Sequence, residues 1–439
     1  MLFELTQILY AIANLSYDIL YLKKSNIVKR SDGEPLKSAS INSLISVYHE
    51  PINIIRNNIL SQLASNYPKN LINIYLIVEK EDIKTVGYVD VLSKEFENVH
   101  GIIIPPNGEG DWDDVVKVSG LDTFDLPFGK GRALLYAYYT KRSNVAGSDV
   151  ITIYDAEDII DPDLVKSALA GLERGYDIIQ GKIRYRNGGN GLLVALESAE
   201  PVIWSNVIYP HTSHSSVPFQ VLGPAYFMRS ILPGEVGGWN PFTTSEDVDF
   251  GFRVWANGGK IAILDIYTSE LGVESLSSWF NQRRRWVRGH QKAFFSPYLN
   301  GKTWFETAKN KFNFWTYSLN SQLMSITSVV GVPAGIYQVI NTLGGHSPDL
   351  TFWVKALAIY NLAHWITAFG LTCYYIENSQ ALSLKEKIKF YLRMNPITTL
   401  LYNMLWALPV IFGIKDCLSR KRISWEHTVR EEEIIKEVT

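Results

Sequence analysis

The sequence predicts an α/β protein, built on a mostly parallel sheet with flanking helices and followed by transmembrane or interfacial helices in its C-terminal third. Two observations carry this reading. Between residues 40 and 270, short β-branched runs alternate with amphipathic stretches, which is the pattern of a parallel sheet covered by crossover helices. Further on, residues 312–348 contain no Asp, Glu, Lys or Arg, and 356–376 and 394–414 are equally free of charge. About 20 apolar residues span the hydrocarbon core of a bilayer, and three such runs close together are hard to cover inside one soluble core.

Taken in chain order, residues 2–22 form a weaker apolar segment interrupted by Glu4, Asn14 and Asp18. It lacks the basic start and small-residue cleavage site of a signal peptide and reads as a spanning or interfacial anchor. Lys23, Lys24, Lys29 and Arg30 follow at once, and the positive-inside rule then places the next stretch in the cytoplasm. The expected division is an anchor with a basic linker over 1–30, a cytosolic domain over 40–295, interfacial and transmembrane helices over 300–418, and a cytosolic tail over 419–439. Strands are expected at Leu44 to Val47, Ile72 to Val78, Val99 to Ile104, Val150 to Tyr154 and Tyr176 to Gln180. Helices are expected at about 52 to 65, 131 to 142 and 163 to 174. Residues 105–129 carry Glu109, Asp111, Asp113, Asp114, Asp122 and Asp125 against one lysine and read as a solvated loop. Gly188-Gly189-Asn190-Gly191 reads as a turn, with no strand leading into it as a phosphate cradle requires.

Composition narrows the chemistry. With 42 Lys and Arg against 44 Asp and Glu, the net charge is −2, so the basic footprint of a nucleic-acid binder is absent. Only Cys373 and Cys417 are present, which leaves neither a disulfide framework nor a thiolate metal cluster. His211 and His214 are three apart but have no third ligand nearby, so zinc is set aside.

Ligands of open parallel sheets bind outside the carboxyl ends of the strands, and there the acids gather. One strand runs out in Tyr48-His49-Glu50, the next in Glu79 with Asp82 close behind, and another in Asp155-Ala156-Glu157-Asp158. A single acid after a strand is usually a helix cap. Carboxylates converging from separate strands repel unless a cation or hydrogen-bonding ligand sits among them, which points to a metal and a polar small molecule.

Three elements then occur in order: Asp155-Ala156-Glu157-Asp158, Thr244-Ser245-Glu246-Asp247, and Gln282-Arg283-Arg284-Arg285-Trp286. They resemble the D-x-D, T-E-D and Q-x-x-R-W elements of the inverting family 2 glycosyltransferases. Within that family the stretch from about 40 to 295 looks like the membrane-integrated cellulose synthase and hyaluronan synthase-like branch. Gly237-Gly238-Trp239 stands before the second element as that branch leads one to expect. Two departures stand out: the second acid of D-x-D is Glu157, and the threonine of T-E-D is Ser245.

The resemblance implies a GT-A-like sheet and a nucleotide-sugar donor, most simply a UDP-sugar. It implies Tyr48, Glu50, Glu79, Lys130 and Asp155 as the nucleotide site. Asp155 and Glu157, with Asp158 as a substitute, become the ligands of Mg²⁺ or Mn²⁺. Asp247, beside Glu246, becomes the general base for the acceptor hydroxyl. Gly223 and Ala225, in Leu222-Gly223-Pro224-Ala225, and Gln282, Arg285 and Trp286 become the acceptor and diphosphate side. Trp425 and Thr428 resemble a loose version of the branch's gating segment. Arg283 and Arg284 are read separately, as a basic face toward anionic lipid headgroups.

The function implied is processive transfer of sugar with inversion to a growing polysaccharide, at a plasma membrane, with the catalytic part cytoplasmic. The alternative is single transfer to a lipid acceptor such as a polyprenyl phosphate or diacylglycerol. Charge also bears on topology. Spans at about 312–343 and 351–376 keep the loop of Lys385, Lys387, Lys389 and Arg393 inside. A third crossing at 394–414 would put Lys415, Arg420, Lys421 and Arg422 outside, against the rule, so that segment, broken by Pro396 and Pro409, is expected to lie at the interface or re-enter.

Overall fold

Among the described residues, eight strands form one sheet: β1 (Ile27–Val28), β2 (Ile41–Val47), β3 (Ile72–Glu79), β4 (Val99–Ile104), β5 (Val150–Tyr154), β6 (Ile178–Tyr185), β7 (Tyr226–Arg229) and β8 (Ile261–Glu270). The computed structural model describes residues 2–22, 25–31, 38–123, 125–141, 143–213, 218–295, 307–346, 350–379 and 383–419. Lys23, Lys24, His214, Arg420, Lys421, Arg422, Trp425 and Thr428 lie outside them.

The order across the sheet is β1-β8-β6-β7-β5-β2-β3-β4, with β7 antiparallel to both neighbours and every other pair parallel. The expected mixed, mostly parallel architecture is therefore present. Side chains alternate along β3: Tyr75 and Ile77 join one core with Trp112, Leu134 and Phe250, while Leu76 and Val78 join another with Ile55, Ile59 and Leu169. Both faces are thus covered, as the unbroken apolar character of the central strands requires.

The helices that cover them are α1 (Leu2–Tyr21), α2 (Ile52–Leu63), α3 (Ile83–Glu95), α4 (Trp112–Ser119), α5 (Lys130–Tyr139), α6 (Leu164–Glu173), α7 (Leu192–Glu197), α8 (Ala199–Ile203), α9 (Tyr209–Thr212), α10 (Leu232–Val236), α11 (Glu246–Ala256) and α12 (Leu276–Phe294). Beyond these come α13 (Ala308–Leu343), α14 (Phe352–Ser379), α15 (Leu384–Arg393), α16 (Pro396–Leu405) and α17 (Ala407–Leu418).

Three expectations need correction. The acidic stretch is not all loop. Trp112, Val115 and Val116, at i, i+3 and i+4, are buried on one face of α4, while Asp114 on the other pairs with Lys141 at 2.7 Å; three apolar side chains suffice to fold an otherwise acidic turn onto the sheet. The fifth expected strand is displaced and longer, and as β6 it leads straight into the turn at Gly188–Gly191. The third correction concerns Lys385, Lys387, Lys389 and Arg393, which lie on α15, begun by a capping box from Ser383 and Glu386 and holding Phe390 inward.

Among the described residues, three helical stretches, Gln322–Leu343, Phe352–Ser379 and Pro396–Leu418, are long and apolar enough to cross a membrane. Along α1, Leu2, Leu5, Ile8, Ile12, Leu15 and Ile19 are exposed in one stripe. The opposite face packs on α13 and α14: Asn320 donates to Ala13 O at 3.1 Å, and Asn361 donates to Gln7 Oε1 at 2.9 Å. The stretch 396–418 differs from the other two. It bends at Trp406, and both arms meet α12: Trp279 donates its indole N–H to Tyr402 Oη at 2.8 Å, and Arg284 donates to Asp416 at 2.5 and 2.8 Å.

Candidate active site

The site is built at the carboxyl rim of β2, β3 and β5. Tyr48 and Glu50 follow β2, Glu79 ends β3, and Asp155 and Glu157 follow β5; all five line one cavity of about 1180 Å³. His49 takes a left-handed φ of 56°, and its backbone N–H donates to Asp82 at 2.7 Å, which fixes how the chain leaves β2. Glu79 is held by Arg132, a fully buried residue of α5 that also donates to Asn107 Oδ1 and Pro105 O, each at 3.0 Å. Its guanidinium lies 4.8 Å from both the Trp112 and Phe128 rings. The sequence reading missed Arg132. Its position two residues after Lys130 on a helix start was visible, but its partner stands 53 residues away.

Lys130 begins α5 and donates to Asp155 Oδ1 at 2.5 Å and to Gly223 O at 3.1 Å. Burial works against the ammonium, yet Asp155 and Glu246 outweigh it and hold the lysine protonated. The turn after β5 is tied from two sides: Asn58 donates to Asp155 O at 2.7 Å, and Arg186 donates to Glu157 O at 2.8 Å. Asp158 does not line the cavity. It is fully buried, its Oδ2 accepts the Asp155 N–H at 2.7 Å, and its Oδ1 has no hydrogen-bond partner. Burial, then the charges of Glu270, Asp155 and Glu157, push its carboxyl well above the usual range.

Opposite this rim, Glu246 and Asp247 open α11. Burial pushes Glu246 up to about 7, with Asp247 adding to it, and pushes Asp247 up to about 6, against the pull of Lys130. The turn before them is clasped by α12, since Thr243 donates to Gly289 O at 3.2 Å and Thr244 to Arg285 O at 3.0 Å. Ser245 donates to Trp286 O at 3.5 Å, so the hydroxyl at this position serves the backbone of α12, and serine can supply it as threonine does. Gly289 allows the approach, because a Cβ there would lie 2.2 Å from Ser245 Oγ.

The two acids meet at Gly223. A Cβ on this residue would lie 3.5 Å from Asp247 Oδ2 and 3.6 Å from Asp155 Oδ2. The turn that carries it is held by Gln180, which donates to Pro224 O at 2.8 Å and accepts the Leu222 N–H at 2.9 Å, and by the left-handed Ala225 with φ of 56°. Gln180 also escaped the sequence reading. Since 3.5 Å is ordinary contact for a Cβ, Gly223→Ala is expected to fold with an unchanged melting temperature. Its methyl enters the space between the two acids, so transfer should fall on the order of tenfold, as a comparison of nucleotide release with thermal unfolding will show.

Gln282, Arg285 and Trp286 line the same cavity from α12, which continues between α1, α13, α14 and α16 past Tyr10, Gln322, Ser328, Asn361 and Trp365. Trp286 packs edge-on against Trp204 at 5.9 Å. The two arginines expected to face lipid do not. Arg283 is fully buried against Glu197 at 2.7 Å and Glu200 at 2.6 Å, and Arg284 pairs with Asp416; acids on neighbouring helices claim both. His211 lies against Tyr21, with ring centroids 5.2 Å apart, and the Gly188–Gly191 turn is outside the cavity lining.

Among the described residues, no three His, Cys, Asp or Glu gather as a ready-made metal cage. The donor set fits a hard cation nonetheless: Asp155 and Glu157 both line the cavity, and one or two carboxylates are what Mg²⁺ or Mn²⁺ takes when a diphosphate supplies the rest.

Residues 150–411 match the family described as glycosyl transferase family group 2. Over 417 residues the chain is 23% identical to the probable glycosyltransferase YdaM of Bacillus subtilis (strain 168), covering 92% of this chain and 90% of that protein. A stretch of 161 residues is 29% identical to glucomannan 4-beta-mannosyltransferase 2 of Arabidopsis thaliana, covering 35% of this chain and 29% of that protein. Among solved structures, the mannosyltransferase PcManGT from Pyrobaculum calidifontis in complex with GDP-Man and Mn²⁺ shares the fold, with a TM-score of 0.58 at 12% identity over 95% of this chain and 100% of that one. The family match covers more than half of the chain and takes in Asp155, Asp247 and Gln282–Trp286: the protein is a glycosyltransferase that belongs to glycosyl transferase family group 2.

Proposed function

We propose that the protein is a membrane-integrated, metal-dependent inverting glycosyltransferase that transfers sugar from a nucleotide sugar to a growing polysaccharide. The observation that carries this is the meeting of Asp155 and Asp247 at Gly223. In an inverting transfer the acceptor hydroxyl attacks the anomeric carbon from the face opposite the leaving diphosphate, so one acid must serve the hydroxyl and another the diphosphate across one small space.

On this reading Tyr48, Glu50 and Glu79 hold the nucleotide, and Asp155 and Glu157 hold Mg²⁺ or Mn²⁺. The metal supplies charge neutralisation to the departing diphosphate. Lys130, which neutralises Asp155 in the free protein, finds in the diphosphate a second acceptor within reach. Arg285 donates to phosphate oxygens, and Asp247 takes the proton of the acceptor hydroxyl. Glu246, beside it, keeps the pair's combined charge down at neutral pH. A UDP-sugar is the donor that the motif resemblance suggests, and the mannosyltransferases among the relatives add GDP-mannose beside it.

Trp286 offers an aromatic surface for the acceptor's last sugar. A processive enzyme keeps that sugar bound between additions, so Trp286→Ala is expected to shorten or abolish polymer while nucleotide release to water continues. Sizing radiolabelled product from wild type and variant checks this. One observation favours the lipid-acceptor alternative: the outer cavity is lined by Val339, Ile340 and Leu362, apolar enough for a lipid chain. Wild type that adds one sugar to an extractable lipid and stops would decide for it.

The division into a 1–30 anchor, a 40–295 transferase domain, membrane helices over 300–418 and a 419–439 tail belongs to the same proposal. So does a plasma-membrane location with the transferase side and the tail cytoplasmic. Both arms of 396–418 meet α12, which supports a stretch that lies at the interface or re-enters rather than crosses. With Cys373 and Cys417 replaced, a cysteine at residue 430 should react with an impermeant maleimide only after the membrane is opened; labelling from the outer side of sealed cells would contradict the topology.

A further inference from the structure

A cluster of buried charge and aromatic rings lies behind Trp286 and plays no part in the transfer described above. Arg283 of α12 donates through Nη2 to Glu197 Oε1 at 2.7 Å and to Glu200 Oε2 at 2.6 Å, and through Nη1 to Gln282 Oε1. Its guanidinium lies 4.1 Å from the centre of the Trp286 ring, with Trp406 at 5.5 Å and Trp279 at 5.9 Å around it. Glu200 is shared: its Oε1 accepts from Tyr402 Oη at 2.5 Å and from Trp406 Nε1 at 2.6 Å. Glu197 is further tied by the Val273 N–H at 2.9 Å.

Three parts of the chain thus converge on one guanidinium: α7 and α8 through the glutamates, α12 through Arg283 itself, and the bend between α16 and α17 through Tyr402 and Trp406. Burying an arginine between two carboxylates costs desolvation that well-packed apolar side chains would avoid. A planar cation against an indole face does something apolar packing does not, because it fixes the ring's tilt through a directional contact.

We propose that Arg283 is a positioning residue for the acceptor site: anchored on Glu197 and Glu200 and backed by Trp406, it sets the orientation of Trp286 and Gln282, so that acceptor capture depends on how the α16–α17 bend seats on the transferase domain. This rests on the assignment of Trp286 to the acceptor side.

The test uses full-length protein in membranes from the expression host, whose own acceptor serves as probe, with radiolabelled UDP-glucose, UDP-N-acetylglucosamine and GDP-mannose. Whichever donor wild type turns over is then used with Arg283→Met, Arg283→Lys and Trp406→Phe. Two quantities are read: sugar transferred per nucleotide released, and the donor KM. Transfer per nucleotide should fall about tenfold in Arg283→Met and severalfold in Trp406→Phe while the donor KM stays within about twofold. Arg283→Lys, which keeps the charge but not the plane, should fall between wild type and Arg283→Met. If Arg283→Met does not accumulate, Trp406→Phe, which leaves Arg283 and both glutamates in place, decides alone. An unchanged ratio, or a donor KM that rises in step with the loss, overturns the positioning role. Absence of nucleotide release from wild type with all three donors overturns the transferase reading and this inference with it.

Discussion

Asp247→Asn should leave donor binding intact and lower sugar transfer by about 10² to 10⁴, the usual contribution of a positioned general base. The amide keeps the size of the carboxylate and its acceptance of the Val248 N–H, 2.8 Å in the native protein, but cannot take the hydroxyl proton. The pH profile follows from the same group. Burial pushes Asp247 up to about 6 and Glu246 to about 7, so transfer should fall as pH drops through that range and the base is protonated.

Stability runs the other way. An acid whose pKa is raised on folding contributes stability that is full below the ordinary carboxylate range and is lost as pH rises through the raised value. At pH 7.5 the free protein therefore bears the cost of ionising this pair. Asp247→Asn should be more stable to unfolding than wild type, by on the order of 1 kcal/mol given the partial exposure of the group, and the difference should shrink toward pH 4. A variant that is inactive and less stable at pH 7.5 would point to a structural role instead.

Asp155→Ala carries the second large effect. With one of the two proposed metal ligands gone, the cation is held weakly and diphosphate departure loses most of its charge neutralisation, so nucleotide release should fall by about 10³ or more. Glu157→Ala should fall in the same direction. Excess EDTA should reproduce the loss in wild type and Mn²⁺ or Mg²⁺ should restore it; full activity in EDTA would remove the metal from the account. Asp155→Ala has a further consequence. Lys130 loses the partner at 2.5 Å and keeps Gly223 O at 3.1 Å, so an ammonium only 14% exposed is left without its ion-pair partner and the variant should be less stable than Glu157→Ala.

The sequence exposes those parts of the fold and site whose physics is local. Strands β2 to β5 and helices α2, α5 and α6 fall within a few residues of their expected bounds, because the hydrophobic period and the flanking turn residues mark them locally. The acids at the strand ends were legible because chain direction in a parallel sheet sends each of them to one rim. What escaped depends on partners far along the chain. The strand β7 has only four residues, and its antiparallel place between β5 and β6 comes from pairing on both sides rather than from its own pattern. Arg283 and Arg284 read as a basic surface because nothing near them in sequence is acidic. Their partners, Glu197, Glu200 and Asp416, come from helices 83 to 132 residues away. Gln180 looks like one more strand residue until the 222–225 turn is laid over it.

Inverting transfer is the central claim, and the configuration of the new bond tests it most directly. Full-length protein is incubated with an α-linked nucleotide sugar that it turns over, Mg²⁺ or Mn²⁺, and membranes supplying the acceptor. The one-bond carbon–hydrogen coupling at the anomeric centre of the product is then measured by NMR. The account predicts a β linkage, formed by a single displacement with Asp247 as base; an α linkage would contradict it.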